Sequence, residues 1–112
     1  MEFVITDLGG VTKAALDGRL DTANVDRVEL TFTASILPKA QSTVIDLSQV
    51  TFIASLGIRM LLTIARTLAQ RGAKLAMFGA SPSVSEIIET TALSDIIPLF
   101  NMESDAVAAV RA

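Results

Sequence analysis

One short segment, Thr51-Phe52-Ile53-Ala54-Ser55-Leu56-Gly57-Ile58, combines a hydroxyl, a glycine and an expected helix start, which makes it the best candidate for chemistry. Ser55 falls where the helix is expected to begin, so its hydroxyl could cap backbone N–H groups that lack a partner within the helix. The same N–H groups and the helix dipole would favour a phosphate, which adds about −1.5 to −2 charges at pH 7. Ser55 is therefore predicted to be either a helix cap or a phosphorylation site, and Gly57 would let another backbone approach closely.

The remaining polar residues form no catalytic set. Asp17 and Asp21 flank Gly18-Arg19-Leu20 and could form a carboxylate pair, but a strand end followed by a helix start favours turn and capping roles. The 112 residues include no His and no Cys, which removes the usual general base, thiol nucleophiles and the commonest metal ligands. No glycine-rich nucleotide-binding pattern occurs. We therefore predict that the protein is not an enzyme and carries neither a cofactor nor a metal.

The charge balance argues against nucleic acid as a partner. Nine Lys and Arg residues against twelve Asp and Glu residues give a formal net charge of −3, whereas binding to a phosphate backbone needs a clustered basic surface. Uninterrupted apolar runs are far shorter than the ~20 residues that span a bilayer, and no secretory signal is evident. The sequence predicts a cytoplasmic chain that binds no nucleic acid and does not insert into a membrane.

The hydrophobic pattern predicts the elements that must position Ser55. Apolar residues make up 51% of the chain, enough for the core of one domain over residues 1–112. Gly9-Gly10 indicates a hairpin turn, after which strand and helix patterns alternate in the order β-β-α-β-α-β-α-β-α. That order predicts an α/β fold with a mixed, mostly parallel β-sheet and helices packed over it. Strands are expected over 2–8, 11–18, 42–47, 74–78 and 95–99, and helices over 22–36, 55–70, 82–91 and 103–110.

Three of the helix ends carry recognisable signals. Asp21 and Thr22 offer N-cap oxygens before the helix over 22–36, and Ser81-Pro82 supplies a cap and a first-turn proline before the helix over 82–91. Gly72 is placed to supply a left-handed turn after the helix over 55–70.

The helix over 55–70 is unusually apolar, and this leaves two interpretations open. Arg59 and Arg66 are seven residues apart and so share one face. The helix is either buried against the sheet with a solvated basic edge, or a docking helix whose exposed apolar residues meet a partner.

Two stretches carry a family resemblance: Gly18-Arg19-Leu20-Asp21-Thr22-Ala23 after a strand, and the run from Val44-Ile45-Asp46-Leu47 through Ala54-Ser55-Leu56-Gly57-Ile58. Together they resemble the STAS domain, the family of anti-sigma factor antagonists and of the cytoplasmic domains of sulfate transporters. The resemblance continues through Gly72, the segment 78–82 and the segment 93–97, and so spans nearly the whole chain.

The resemblance implies a regulator that switches partners. In that family the serine of a short Asp-Ser-Ser/Thr-Gly-Leu segment is phosphorylated by a kinase that is also the anti-sigma factor, and a phosphatase reverses the modification. The implied partners are therefore an anti-sigma factor serine kinase with a histidine-kinase-like ATPase fold and a serine phosphatase. The matching serine is Ser55. The implied partner-binding residues are Asp21, Thr22, Ala54, Ser55, Leu56, Gly57, Ile58 and Arg59.

Two departures from the family pattern keep alternatives open. Ala54 stands where the family has an acidic residue, and Leu56 stands in place of the next Ser or Thr. Phosphorylation is then either kept with altered recognition or lost, which would leave a constitutive binder.

A second hypothesis is a non-phosphorylated STAS module that serves a transport complex or a signalling scaffold. A third is small-molecule binding at the strand ends, as in STAS domains that bind nucleotides. The oligomeric state is open, because an apolar helix face could serve a partner or a second copy.

Overall fold

A five-stranded sheet with the order β1-β2-β3-β4-β5 organises the chain in the computed structural model, which describes residues 2–112. Met1, the first residue of the predicted domain, lies outside this range. The first two strands are antiparallel and each later pair is parallel, which confirms the predicted mixed, mostly parallel sheet and the order of elements. The strands are β1 (Glu2–Asp7), β2 (Thr12–Leu20), β3 (Thr43–Ile53), β4 (Leu75–Phe78) and β5 (Leu99–Phe100), and the helices are α1 (Thr22–Ile36), α2 (Ser55–Gln70), α3 (Pro82–Thr90) and α4 (Glu103–Arg111), with 3₁₀ turns at Leu37–Lys39 and Leu93–Asp95.

The predicted hairpin joins β1 to β2. Gly9 and Gly10 adopt φ angles of 79° and 89°, the left-handed region that favours glycine. The Asp7 carboxylate accepts hydrogen bonds from both glycine N–H groups, at 3.0 and 3.2 Å. The turn thereby fixes the register in which Glu2 faces Asp17.

The two faces of the sheet pack against different helices, because successive strand residues point to opposite sides. In β3, Ile45 and Leu47 join the core beneath α1, α2 and α3, whereas Val44 joins a smaller cluster beneath α4. All three side chains are fully buried, as expected of a central strand with both faces covered.

The three predicted helix-end signals are confirmed. The Asp21 side chain accepts a hydrogen bond from Asn24 N at the start of α1, and the Ser81 hydroxyl accepts one from Val84 N at the start of α3. Gly72, the second residue after α2, has a φ angle of 77°.

Two strand predictions need correction. The strand predicted over 42–47 continues to Ile53, because Gln49, Val50 and Phe52 pair with β2 across two shifts in register. The strand predicted over 95–99 is wrong: Ala92 turns the chain into the left-handed region, and a 3₁₀ turn follows. Only Leu99–Phe100 pairs with β4.

Candidate partner-binding site

The Asp21 loop (residues 20–22) and the Ser55 turn (residues 53–57) lie side by side at the carboxyl ends of β2 and β3. Because β2 and β3 are parallel, their last residues, Leu20 and Ile53, are paired in register. Ala54 N donates a hydrogen bond of 2.8 Å to the Leu20 carbonyl oxygen. The sequence segments that carry the family resemblance are therefore joined directly through the backbone.

Gly57 makes this close packing possible. A Cβ atom at this position would lie 2.9 Å from the Leu20 carbonyl oxygen, 3.0 Å from Leu20 Cβ and 3.2 Å from Ile53 Cγ2. The predicted close approach of another backbone is confirmed, and that backbone is β2 of the same chain. Gly57 is itself buried, so it lies beneath the surface on which the other candidate site residues are arranged.

Ser55 is the first helical residue of α2 and not its cap. The N-cap is Ala54, which has no side chain able to accept a hydrogen bond, so the predicted capping role of Ser55 is wrong. The cause is the length of β3, which runs to Ile53 and leaves a single residue before the helix. Ser55 is exposed, and its hydroxyl makes no hydrogen bond within residues 2–112.

This arrangement leaves a polar, positively polarised helix start in contact with solvent. The first N–H groups of any helix lack partners within the helix, and α2 has no side-chain cap to satisfy one of them. Arg59 lies one turn after Ser55 and is also exposed, so the two share a face. The helix dipole and the Arg59 guanidinium both favour negative charge at this point.

Asp21 is held in place by two neighbours, Asn24 and Arg19, which are also hydrogen-bonded to each other. Its carboxylate accepts hydrogen bonds from Asn24 N at 3.0 Å and from Arg19 Nε at 3.3 Å, and Asn24 Nδ2 donates to the Arg19 carbonyl oxygen at 2.8 Å. The hydrogen bond from the Asn24 backbone is the main reason that the pKa of Asp21 lies below its ordinary value, and the Arg19 side chain lowers it further. Asp21 is thus charged and fixed, which agrees with the capping role preferred over a carboxylate pair with Asp17.

Sequence reasoning missed the pairing of Arg19 with Phe52. The Arg19 guanidinium carbon lies 4.5 Å from the centre of the Phe52 ring, a cation–π contact beside the Asp21 carboxylate. Arg19 and Phe52 are register partners in the part of β3 that the sequence pattern did not predict. The only available signal was an arginine directly after the strand expected over 11–18 and an aromatic residue shortly before the helix expected over 55–70.

The other predicted site residues surround this centre at different depths. Thr22 is exposed, whereas Ala54, Leu56 and Ile58 are half-buried. Beyond the Ser55 turn, α2 buries Met60, Leu61, Ile64 and Leu68, and its exposed positions are polar apart from Ala69. This agrees with a helix packed against the sheet with a solvated basic edge.

Within residues 2–112, no group of three or more Asp and Glu side chains is arranged to hold a metal ion. None of the helices described there has the length and apolar character needed to cross a membrane.

Comparisons with known proteins place the chain in a family. The model of the STAS domain matches residues 2–106. BtrV of Bordetella bronchiseptica, a candidate anti-sigma factor antagonist, is 28% identical over 111 residues, covering 99% of this chain and 96% of BtrV. An anti-sigma factor antagonist from Mycobacterium paratuberculosis has a similar structure, with a TM-score of 0.88, 25% identity and coverage of 99% and 94% of the two chains.

The anti-sigma factor antagonist SpoIIAA shares the fold in two states. Its unphosphorylated form matches with a TM-score of 0.80 and 20% identity, covering 98% of this chain and 96% of SpoIIAA. Its phosphorylated form, from Bacillus, matches with a TM-score of 0.71 and 19% identity, covering 98% and 100%. The chain described here belongs to the STAS domain family.

Proposed function

We propose that this chain is an anti-sigma factor antagonist that works as a phosphorylation-controlled partner switch in the cytoplasm. Unphosphorylated, it binds an anti-sigma factor serine kinase through the Asp21 loop and the Ser55 turn. Phosphorylation of Ser55 by that kinase ends the complex, and a serine phosphatase restores it. The protein thus acts as a substrate and a binding partner, and does no catalysis of its own.

The single observation that carries the proposal is the environment of Ser55. Its hydroxyl is exposed, makes no hydrogen bond within residues 2–112, and stands at the uncapped start of α2. An acceptor hydroxyl must be reachable by a kinase, and the resulting phosphate must be tolerated by the unbound protein. The free N–H groups of α2 and the neighbouring Arg59 would stabilise that phosphate.

The same geometry supplies a reason for the loss of binding. The surface around Ser55 is mixed: Leu56 and Ile58 are half-buried apolar residues in the first turn of α2, and the ion pair of Arg19 with Asp21 lies at the paired end of β2. A partner that covers this surface would have to remove water from the new phosphate, which is costly unless an opposite charge compensates it. The similarity to BtrV and SpoIIAA supports a role as an anti-sigma factor antagonist, since both proteins are named as such.

The direct test is an intact-mass measurement after incubation with ATP and the candidate kinase, a histidine-kinase-like ATPase sought first among the neighbouring genes. One added phosphate is expected on the wild-type chain and none on Ser55→Ala. Ser55→Asp should weaken binding to the kinase about tenfold or more, because it places a charge in the interface. Ser83→Asp is the matched control, since Ser83 is an exposed serine in the first turn of α3.

The alternative function is a constitutive STAS module that is never phosphorylated and serves a transport complex or a scaffold. Leu56 favours it, because this half-buried side chain packs against the main core and supplies no hydroxyl. Ala54 favours it too, because it lacks the family's acidic side chain. Full kinase affinity in Ser55→Asp, together with an unchanged mass after kinase treatment, would support this alternative over the switch.

A further inference from the structure

We propose that a groove at the far end of α2 from Ser55 binds a small amphiphilic anion, namely an aliphatic monocarboxylate of medium chain length. The groove has a volume of about 370 Å³ and lies between the second half of α2, the start of β4, the segment before β5, and α4. Ser55 and Arg66 are eleven positions apart, roughly 16 Å along the helix axis. The groove is therefore separate from the surface around Ser55 and does not rest on the function proposed for it.

The interior of the groove is apolar. Ala73, Leu75 and Ala76 are buried beneath it, and alanines of α2 and α4 form its sides. Ile96 lines the groove and has 58% of its surface exposed. An aliphatic chain laid in the groove would cover this surface and gain the free energy of removing it from water.

Two cations give the groove its preference for an anion. The only charged side chains among its lining residues are Arg66 and Lys74, although the chain as a whole carries a net charge of −3. Arg66 makes no hydrogen bond or ion pair within residues 2–112. Lys74 Nζ donates to the Ala112 carbonyl oxygen at 2.6 Å, which leaves two of its three N–H donors available.

These features together select a monocarboxylate over other occupants. A guanidinium matches the two oxygens of a carboxylate, and Lys74 supplies a second cationic donor in the lining of the same groove. At about 30 Å³ for each water-sized group, the volume accommodates roughly a dozen such groups. Octanoate, with eight carbons and two oxygens, is a probe of fitting size and single charge.

The test is titration of the full chain with octanoate, followed by calorimetry and by amide chemical shifts. Saturable binding with a Kd below about 1 mM is expected, with shift changes concentrated at Ala73–Ala76, Ile96 and Ala109 and absent from the Ser55 turn. Octan-1-ol and acetate, which lack the charge and the chain respectively, should each bind at least about tenfold more weakly. No saturable binding, equal affinity for octan-1-ol, or shift changes centred on the Ser55 turn would each overturn the proposal.

Charge reversal identifies the residue that recognises the anion. Arg66→Glu should weaken octanoate binding about tenfold or more. Arg66 is exposed on α2, so we expect the variant to fold, and its urea denaturation curve checks this. Arg27→Glu, at an exposed position of α1, makes the same change in net charge away from the groove and should leave the Kd unchanged. Equal effects of the two variants would contradict the assignment of Arg66. Kinase binding enters neither readout, so this proposal and the proposed function can fail independently.

Discussion

The two faces of the sheet are held to their helices by different kinds of contact. Beneath α1, α2 and α3 the core contains long or aromatic side chains, among them Phe32, Leu61 and Met77, each with no exposed surface. Beneath α4 the helix contributes only Ala106, Val107 and Val110 to a smaller cluster. Because apolar stabilisation grows with buried area, the first face provides most of the apolar stabilisation.

The α4 face compensates with polar contacts at both ends of the helix. Glu103, at the start of α4, forms an ion pair with Lys13 of β2 at 2.5 Å. At the other end Arg111 Nη2 donates to the Leu8 carbonyl oxygen at 2.8 Å. The comparison shows that the candidate partner site stands on a face fixed by packing, whereas α4 depends partly on contacts that respond to salt and pH.

The largest expected effect comes from cutting into the main core. Phe32→Ala should lower the free energy of unfolding by about 3–5 kcal/mol, because it leaves a cavity and removes an edge-on contact with Phe3 at 5.0 Å between ring centres. Urea denaturation measures the change. Leu30→Ala, two residues away on α1 but with its side chain 82% exposed, is the control and should differ from wild type by less than about 0.5 kcal/mol.

Gly57→Ala tests how tightly the main face is packed beneath the site. An alanine in a helix normally gains about 1 kcal/mol over glycine, but here its Cβ would meet the Leu20 backbone at 2.9 Å. We expect a net loss of about 1–3 kcal/mol, because the Ser55 turn must shift away from the Asp21 loop, and the same shift should weaken the proposed binding to a kinase. Thr63→Ala, at an exposed position of α2, is the control. A stability equal to or above that of wild type would show that the two loops are not constrained by Gly57.

Val110→Ala measures the apolar contribution of α4. Val110 is 5% exposed and packs in the smaller cluster, so losing two methyl groups should cost about 1–2 kcal/mol in urea denaturation. A loss as large as that of Phe32→Ala would remove the distinction between the two faces.

Most helices and strands of the fold could be predicted from the sequence. Helix bounds were accurate where capping residues mark them, as at Asp21 and Ser81, and the central strand was evident from the β-branched run of Val44 and Ile45. The second half of β3 was missed, because Ser48, Gln49 and Thr51 are polar and its pairing depends on register shifts in β2. Such shifts arise from contacts between distant segments and leave no local pattern.

The candidate site, too, could be predicted only in part, because some of its features depend on contacts between distant segments. The role of Gly57 could be predicted from its lack of a side chain, whereas the closeness of the Asp21 and Ser55 segments became evident only from the paired ends of β2 and β3. The sequence pattern did not predict that a single residue separates β3 from α2. This short connection makes Ala54 the N-cap and leaves the Ser55 hydroxyl without a capping role. The contact of Arg19 with Phe52 depends on the same missed pairing.

Glu103→Gln tests the polar contacts of α4 and should have a small effect, below about 1 kcal/mol at neutral pH, because Glu103 is 41% exposed. Its hydrogen bond with Lys13 is the main reason that the pKa of Lys13 is raised above 10.5. The raised pKa means that this stabilisation is fully present below pH 10.5 and is lost as the pH rises through the higher value in the folded protein. Unfolding curves of wild type and Glu103→Gln should therefore converge in alkali and in high salt. Curves that stay parallel would show that the pair does not hold α4.

The smallest effect on stability is expected at Asp21. The contribution of its carboxylate is lost in acid, whereas that of the Lys13–Glu103 pair is lost in alkali. The pKa of Asp21 is lowered from 3.8, first by the hydrogen bond from Asn24 N–H and second by Arg19. The charged carboxylate therefore contributes to the free energy of unfolding above pH 3.8, and this contribution is lost as the pH falls through the lower pKa of the folded protein. Asp21→Asn keeps an acceptor for Asn24 N but removes the charge, since asparagine is an equally good N-cap. Wild type should be slightly more stable than this variant near neutral pH, and the difference should vanish in acid. Asp26→Asn, on the exposed side of α1, is the charge-matched control. If the difference in stability between wild type and Asp21→Asn does not change in acid, the hydrogen bond and not the charge fixes the loop beside Ser55.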